Sequence, residues 1–152
     1  MLHCGNSTGS DEEVEQVAGL VAALRGQPFR RASRDGLESG ALDWSEILIT
    51  APYNVQVSRL KRRLGPEARI GTVDKFQGQE AAVTIHSLTS SDAELAPRGL
   101  SFLLDPHRLN VAISRGQCLS IVVGSPTLTS GIASKVDDVV QLNRLCRLMG
   151  DR

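Results

Sequence analysis

Aromatic residues are scarce: Phe, Tyr and Trp together make up 3% of the 152 residues. So few rings make a base-stacking platform, of the kind single-strand-binding folds use, hard to build. Neither sign of charge is in excess, with 17 Lys+Arg against 17 Asp+Glu and a formal net charge of +0. The field of the whole molecule therefore steers it to neither nucleic acid nor membrane, and any polyanion site has to be local. No apolar run approaches the roughly 18–20 residues of a membrane span, and the longest, around Leu119 to Val123, is strand-sized. Met1 to Gly5 carries neither a basic region nor an apolar stretch, so no secretory signal is expected. The three cysteines (Cys4, Cys118, Cys146) are odd in number and never form a C-x-x-C pair. They read as reduced thiols of a cytoplasmic protein, neither disulfide framework nor zinc site. His3, His86 and His107 share no metal-ligand spacing, and no metal site is expected. The phosphate-loop pattern G-x-x-x-x-G-K-[ST] is absent too: Gly65 to Thr72 is one residue too long and lacks the lysine. Without that lysine and a hydroxyl on Mg²⁺ there is no self-sufficient triphosphate cradle.

What is present is the composition of one globular domain over residues 1–152, with 41% hydrophobic and 22% charged residues. Short β-branched runs alternate with helical periodicity, as in βαβ units. Asp11 to Leu24 is an expected helix, with Ser10 as N-cap, Glu13 at the capping-box position and Val14, Val17, Val21 and Leu24 as its buried stripe. Gly26 ends it. Gln27 to Asp43, polar and Arg-rich, reads as a variable surface connection. Strands are expected at Ile47–Thr50, Ala68–Val73, Ala82–Leu88 and Leu119–Gly124. Helices are expected from Asn54 to Leu64, from Pro106 to Arg115 and from Lys135 to Met149. The result is an α/β fold, an open and mostly parallel sheet covered on both faces. Ligands in such sheets gather beyond the carboxyl ends of the strands. That directs attention to the turn after Thr72, the segment after Thr50 and the helix ending at Arg115.

Three segments carry chemistry. In Gly71 to Glu80 a strand feeds a short polar turn with an Asp, two Gln, a Gly and a Glu. It reads equally as a tight structural turn and as a place where Gly78 lets backbone approach a phosphate while Gln and Glu read a ribose or phosphate edge. Arg115 closes an otherwise apolar helix, which suits a partner of the helix dipole and also an arginine finger on a γ-phosphate held by another domain. Thr50 to Asn54 sets a hydroxyl, a ring and an amide at a strand end, fit for a strand stop or for gripping a single-stranded backbone.

In order, "ILITAPYNVQVSRL", "GTVDKFQGQEAAVTIHSL" and "RLNVAISRGQCLSIVVGSP" resemble motifs IV, V and VI of superfamily 1 helicases. The likeness is to the Upf-like branch, and within it to bacterial helicases fused to a RecB-like nuclease. The resemblance implies a RecA-like C-terminal motor domain, a phosphate-loop NTPase-type fold without its own phosphate loop, excised from a longer protein and inactive alone. The cognate N-terminal RecA-like domain would bind most of ATP and Mg²⁺. By motif position Gly78, Gln79 and Glu80 would meet the nucleotide, and Arg115 would be the catalytic arginine. Pro52, Tyr53, Asn54, Thr72 and Asp74 would lie along single-stranded DNA, with RNA as the other candidate. Relatives continue motif VI as Arg-Ala-Arg, whereas Gly116 and Gln117 follow Arg115 here. A stand-alone, non-hydrolysing module that binds nucleic acid or protein is the alternative that this departure favours.

Overall fold

The computed structural model describes residues 5–33, 35–91, 96, 98–130, 139, 140 and 143. Its centre is β3 (Ile47–Thr50), whose four residues are all buried, and β5 (Ala81–Ser87), whose seven are all buried. Two runs buried at every position need covering on both sides, which parallel strands receive from their crossover helices. β4 (Arg69–Gly71) and β6 (Gly116–Val123) complete a four-stranded parallel sheet of order β4-β3-β5-β6. Ile49 stands opposite Ile70 on one side and Ile85 on the other, and Ile85 opposite Ile121.

The alternation of side chains along each strand separates two layers. Ile47, Ile49, Val83 and Ile85 face α1 (Asp11–Leu24) and α2 (Asn54–Leu64), meeting Val14, Val17, Val21, Val57 and Leu60 in one core. Leu48 faces the other way, onto Phe76 and Ala81. There a 3-10 turn (Val73–Phe76) and α4 (Pro106–Ser114) cover the sheet. A short helix, α3 (Leu100–Leu103), brings Leu103 and Leu104 against Tyr53, Leu88 and Leu128. The fold is the mixed α/β architecture expected of a RecA-like domain.

One expectation changes. Residues 27–43 are not an irregular connection: β1 (Pro28–Ser33) and β2 (Gly36–Ala41) pair as an antiparallel hairpin. β2 is exposed at all six positions, so no apolar alternation marks it. Arg31 supplies the tie instead, pairing with Glu38 directly opposite at 2.8 Å and with Glu46 at 2.7 Å. Those two carboxylates hold its guanidinium well above the usual arginine pKa. The helix expected over Lys135–Met149 lies outside the described residues except for Val139, Val140 and Asn143, which are helical; Val139, expected to face inward, is exposed.

The capping box of α1 is only half made. Ser10 Oγ accepts from Glu13 N at 3.2 Å, but Glu13 does not reach back to Ser10 N. Gln56 takes that place from α2: its Oε1 accepts from Ser10 N at 2.9 Å. Its Nε2 donates to Ser10 O at 3.2 Å and to Ser87 Oγ at 3.0 Å. The freed Glu13 carboxylate turns inward, accepting from Ser87 Oγ at 2.6 Å and from Thr89 N at 2.9 Å. Both Gln56 and Glu13 are fully buried. Truncating Gln56 strands the buried Ser10 N–H, which costs about 1–3 kcal/mol, while Ser10 O keeps its bond from Val14 N. Gln56→Ala should therefore lower unfolding stability by about 1–3 kcal/mol in urea titrations, and a loss below about 0.5 kcal/mol would contradict this role.

Candidate functional site

Gly71 closes β4, and a Cβ there would meet the Lys75 side chain at 2.7 Å and Phe76 Cε2 at 3.0 Å. The bare backbone lets the 3-10 turn fold back over the strand end, with Lys75 N donating to Thr72 O at 3.1 Å. Val73 and Phe76 are buried beneath the turn, leaving Asp74, Lys75 and Gln77 exposed. Opposite it, α4 starts on Asp105, whose Oδ1 accepts from His107 N at 3.0 Å, with Pro106 in the first turn. The turn and the helix enclose two hollows.

The first hollow lies at the carboxyl edge of the sheet. Ala51, Pro52, Asn54, Thr72, Val73 and Asp74 line it from β3, α2 and β4; His86, Arg98, Phe102, Leu103, Arg108 and Leu109 close it. Pro52, Asn54, Thr72 and Asp74 are thus brought together. Tyr53 is not among them: it is buried, with its ring 5.9 Å from that of Phe102 at 37°. Burial raises its pKa, offset in part by the Ser90 hydroxyl and the charge of Arg98. Its position makes it a support behind the lining rather than a surface for a ligand.

The second hollow runs along α4, lined by Val73, Asp74, Gln77, His107, Arg108, Val111 and Arg115. Positions 107, 108, 111 and 115 recur at helical spacing, so one face of α4 and its end supply four of the seven. Arg115 does not stand beyond the carboxyl ends of the strands, as the general rule for such sheets suggested. α4 precedes β6 and runs back across the sheet, so its last turn comes down beside the first residue of β5: Ala81 N donates to Arg115 O at 3.1 Å. Arg115 Nε is buried and has no hydrogen-bond partner among the described residues. A buried guanidinium N–H without an acceptor is costly and rare in a finished site, and an incoming anion satisfies it. The residue present therefore fits a nucleotide phosphate.

Gly78, Gln79 and Glu80 lead into β5 at the same amino edge but do not line either hollow. Gly78 has φ +81 with nothing within 4 Å of where a Cβ would stand, so the backbone conformation is what calls for glycine there. Gln79 Oε1 accepts from Arg69 Nη2 at 3.0 Å, and Glu80 Oε2 accepts from Gln117 Nε2 at 2.6 Å. The Gly116-Gln117 departure thus has a physical account. A Cβ at 116 would lie 2.6 Å from the Leu119 carbonyl, and Gln117 serves as a neutral donor to Glu80.

Spacing alone did not single out Gln56, Arg98, Phe102 or Arg108, whereas Gln77 belongs to the polar turn already marked. A polar residue between buried positions of α2 was the available signal for Gln56. Ser90 to Pro106 reads as a polar loop with a small apolar insert, Leu100 to Leu104, and nothing local singles out Arg98 or Phe102 within it. Among the described residues no group of three or more His, Cys, Asp or Glu could hold a metal, and no helix is long and apolar enough to cross a membrane.

His86, which by its place in an apolar strand reads most simply as a hydrogen-bonded core residue, is one: it is buried and shares a 2.8 Å hydrogen bond between its Nδ1 and Thr50 Oγ1. Burial lowers its pKa from 6.5 to about 4. Above pH 6.5 the ring is neutral whether folded or unfolded, and the stability is complete. As pH falls toward 4 the unfolded chain takes up a proton that the folded chain refuses, and stability drops by about 3 kcal/mol in all. Urea midpoints should fall over that window in the natural chain and fall less in His86→Gln; parallel profiles would contradict the assignment.

Residues 3–127 match a family model described as an AAA domain. The chain is 38% identical over 92 residues to DNA polymerase alpha-associated DNA helicase A of Schizosaccharomyces pombe, covering 59% of this chain and 14% of that protein. It is 36% identical over 115 residues to the probable helicase MAGATAMA 3 of Arabidopsis thaliana, covering 68% and 14%. To the regulator of nonsense transcripts 1 homolog of Drosophila melanogaster it is 43% identical over 67 residues, covering 44% and 5%. The chain spans a small part, 14% or less, of each of these relatives. With the model matched across most of its length and a four-stranded parallel sheet flanked by helices, the chain belongs to the AAA domain family.

Proposed function

We propose that the chain is the C-terminal motor domain of an ATP-dependent DNA helicase or translocase of superfamily 1, supplying motifs IV, V and VI and inactive by itself. The observation that carries this reading is the shared wall of the two hollows. Val73, Asp74 and Arg108 line both, so a group seated on the Thr72 side and a group seated against Arg115 press on the same turn and the same helix. Family membership and the helicase names of its relatives support the class of activity.

In this reading Arg115 donates to the γ-phosphate of a nucleotide held by a phosphate-loop domain, which also supplies the Mg²⁺ ligands. ATP, when bound, supplies a scissile phosphoanhydride whose charge grows toward the transition state. Arg115 offers fixed donors to that charge, and its buried Nε keeps the guanidinium from exchanging the phosphate for water. Gly78, Gln79 and Glu80 stand at the same edge for the phosphate and ribose. At the opposite edge Pro52, Asn54, Thr72 and Asp74 hold a single strand of DNA, with Tyr53 bracing them from behind. The 3-10 turn joins the two edges, so a shift of the turn on phosphate release reaches the strand within one rigid segment. Nuclease fusion, a site in the cytoplasm and a longer native polypeptide belong to the same proposal.

Arg115→Ala in the complete motor should lower nucleic-acid-stimulated ATP hydrolysis by roughly 10³-fold while leaving the fold intact. Near-normal turnover in that variant would overturn the assignment of Arg115. The isolated chain should hydrolyse no ATP until a phosphate-loop domain is added, and turnover by the chain alone would contradict its dependence on a second domain.

A further inference from the structure

The first hollow holds two arginines on a single aromatic ring. The guanidinium carbon of Arg98 lies 4.7 Å from the Phe102 ring centroid, and that of Arg108 lies 4.4 Å from it. Among the described residues Arg98 makes no hydrogen bond and no ion pair. Arg108 makes no hydrogen bond either, and its ion pairs are long: 3.8 Å to Asp74 Oδ2 and 3.9 Å to Asp105 Oδ2. Asp105 is engaged through its other oxygen in capping α4. Each guanidinium carries five N–H donors in a planar fork. Two forks thus stand together at the hollow with their hydrogen bonding unspent.

The electrostatics point the same way. Two positive charges held against one ring repel each other, and the ring quadrupole offsets only part of that, at roughly 0.5–2 kcal/mol per cation. Asp74 and Asp105 both face Arg108, at 3.8 and 3.9 Å, so among the described residues the charge of Arg98 has no carboxylate partner. An anion with several acceptor oxygens, placed between the forks, removes the repulsion and meets the free donors at once; a phosphate suits planar bidentate donors best. Phe102 is occupied by the two cations and braced by Tyr53, so it is no platform for a stacked base. The site is built to take backbone rather than base, in a molecule whose formal net charge of +0 gives no general attraction for nucleic acid.

We propose that Arg98 and Arg108, held on Phe102, form a two-guanidinium clamp for one phosphodiester of a single DNA strand, gripped without regard to sequence. This rests on the strand-binding reading of the hollow and adds to it the residues that carry the affinity. Neither arginine belongs to the group assigned to the strand by motif position.

The test uses the complete motor protein and a fluorescent oligothymidylate titrated at several salt concentrations. Arg98→Ala should weaken binding roughly tenfold at low salt and reduce the slope of log affinity against log salt by about 0.7, the value for one phosphate contact on a single strand. Arg98 is exposed, so its unfolding midpoint should match that of the unaltered protein. Arg98→Lys should keep the slope and recover only part of the affinity, because it retains charge and loses the fork. Phe102→Leu should weaken binding with both charges still present. Normal strand binding with an unmoved slope in Arg98→Ala would overturn the clamp and leave the strand-binding reading standing. A raised KM for ATP with an unmoved slope would assign the cations to the phosphates of the nucleotide and equally overturn it. Absence of strand binding by the unaltered protein would overturn both readings.

Discussion

The buried carboxylate of Glu13 is the constraint on which the arrangement of the carboxyl edge depends. A carboxyl group with no exposed surface must have its oxygens met by hydrogen bonds, because its desolvation is not otherwise offset. Ser87 Oγ, at the end of β5, and Thr89 N, just beyond it, meet it. Thr89 stands at φ 73, a conformation that costs a β-branched residue about 1–3 kcal/mol, and its N–H has the carboxylate to hold it there. Gln56 fastens α2 to the same Ser87 and to the cap of α1. Further out, Ser90 Oγ donates to Ser7 O at 2.6 Å, Ser91 N donates to Asn6 O at 3.0 Å and Thr127 Oγ1 donates to Ser91 O. Helix start, strand end and the segment after β6 are thereby one hydrogen-bonded unit.

From that edge α4 acts as a spine. It begins beside Thr72 and Asp74 and ends at the opposite margin of the sheet, where the carbonyl of Arg115 accepts from Ala81 N. Ser120 Oγ donates to Ile113 O at 2.6 Å and accepts from Thr84 Oγ1 at 3.1 Å, anchoring the last turn of α4 to β5 and β6. The 3-10 turn packs against it. The two hollows are therefore joined by a packed segment about one helix long, not by a flexible loop.

Much of this was legible in the residues. Asp11 to Leu24 announces its helix by cap, acidic first turn and apolar spacing, and the structure has it over the same residues. Ile47 to Thr50 is a run with no polar face, which has few alternatives to a buried strand. The hairpin at 28–41 was illegible because its pairing rests on backbone bonds and the Arg31–Glu38–Glu46 ion pairs rather than on apolar alternation. At the site, Pro52, Asn54, Thr72 and Asp74 were identified by motif resemblance and meet at one hollow. Tyr53, read the same way, is drawn into the core instead, since a large ring at a strand end gains more from burial against Phe102, Leu103 and Leu104 than from exposure.

By itself the sequence determined the order and type of the main elements, and the segments in which chemistry resides. Those depend on local signals: caps, apolar period, glycine at a backbone turn and short polar runs. Only the tertiary structure decided that Arg115 lies at the amino edge while Arg108 of the same segment lies at the carboxyl edge. It also decided that Glu13 abandons its capping box for a strand 74 residues away, and that Arg98 and Arg108 share one ring. These are pairings between residues distant along the chain. Their partners are chosen by how layers pack and by which buried charges must be met, and no local spacing encodes that choice.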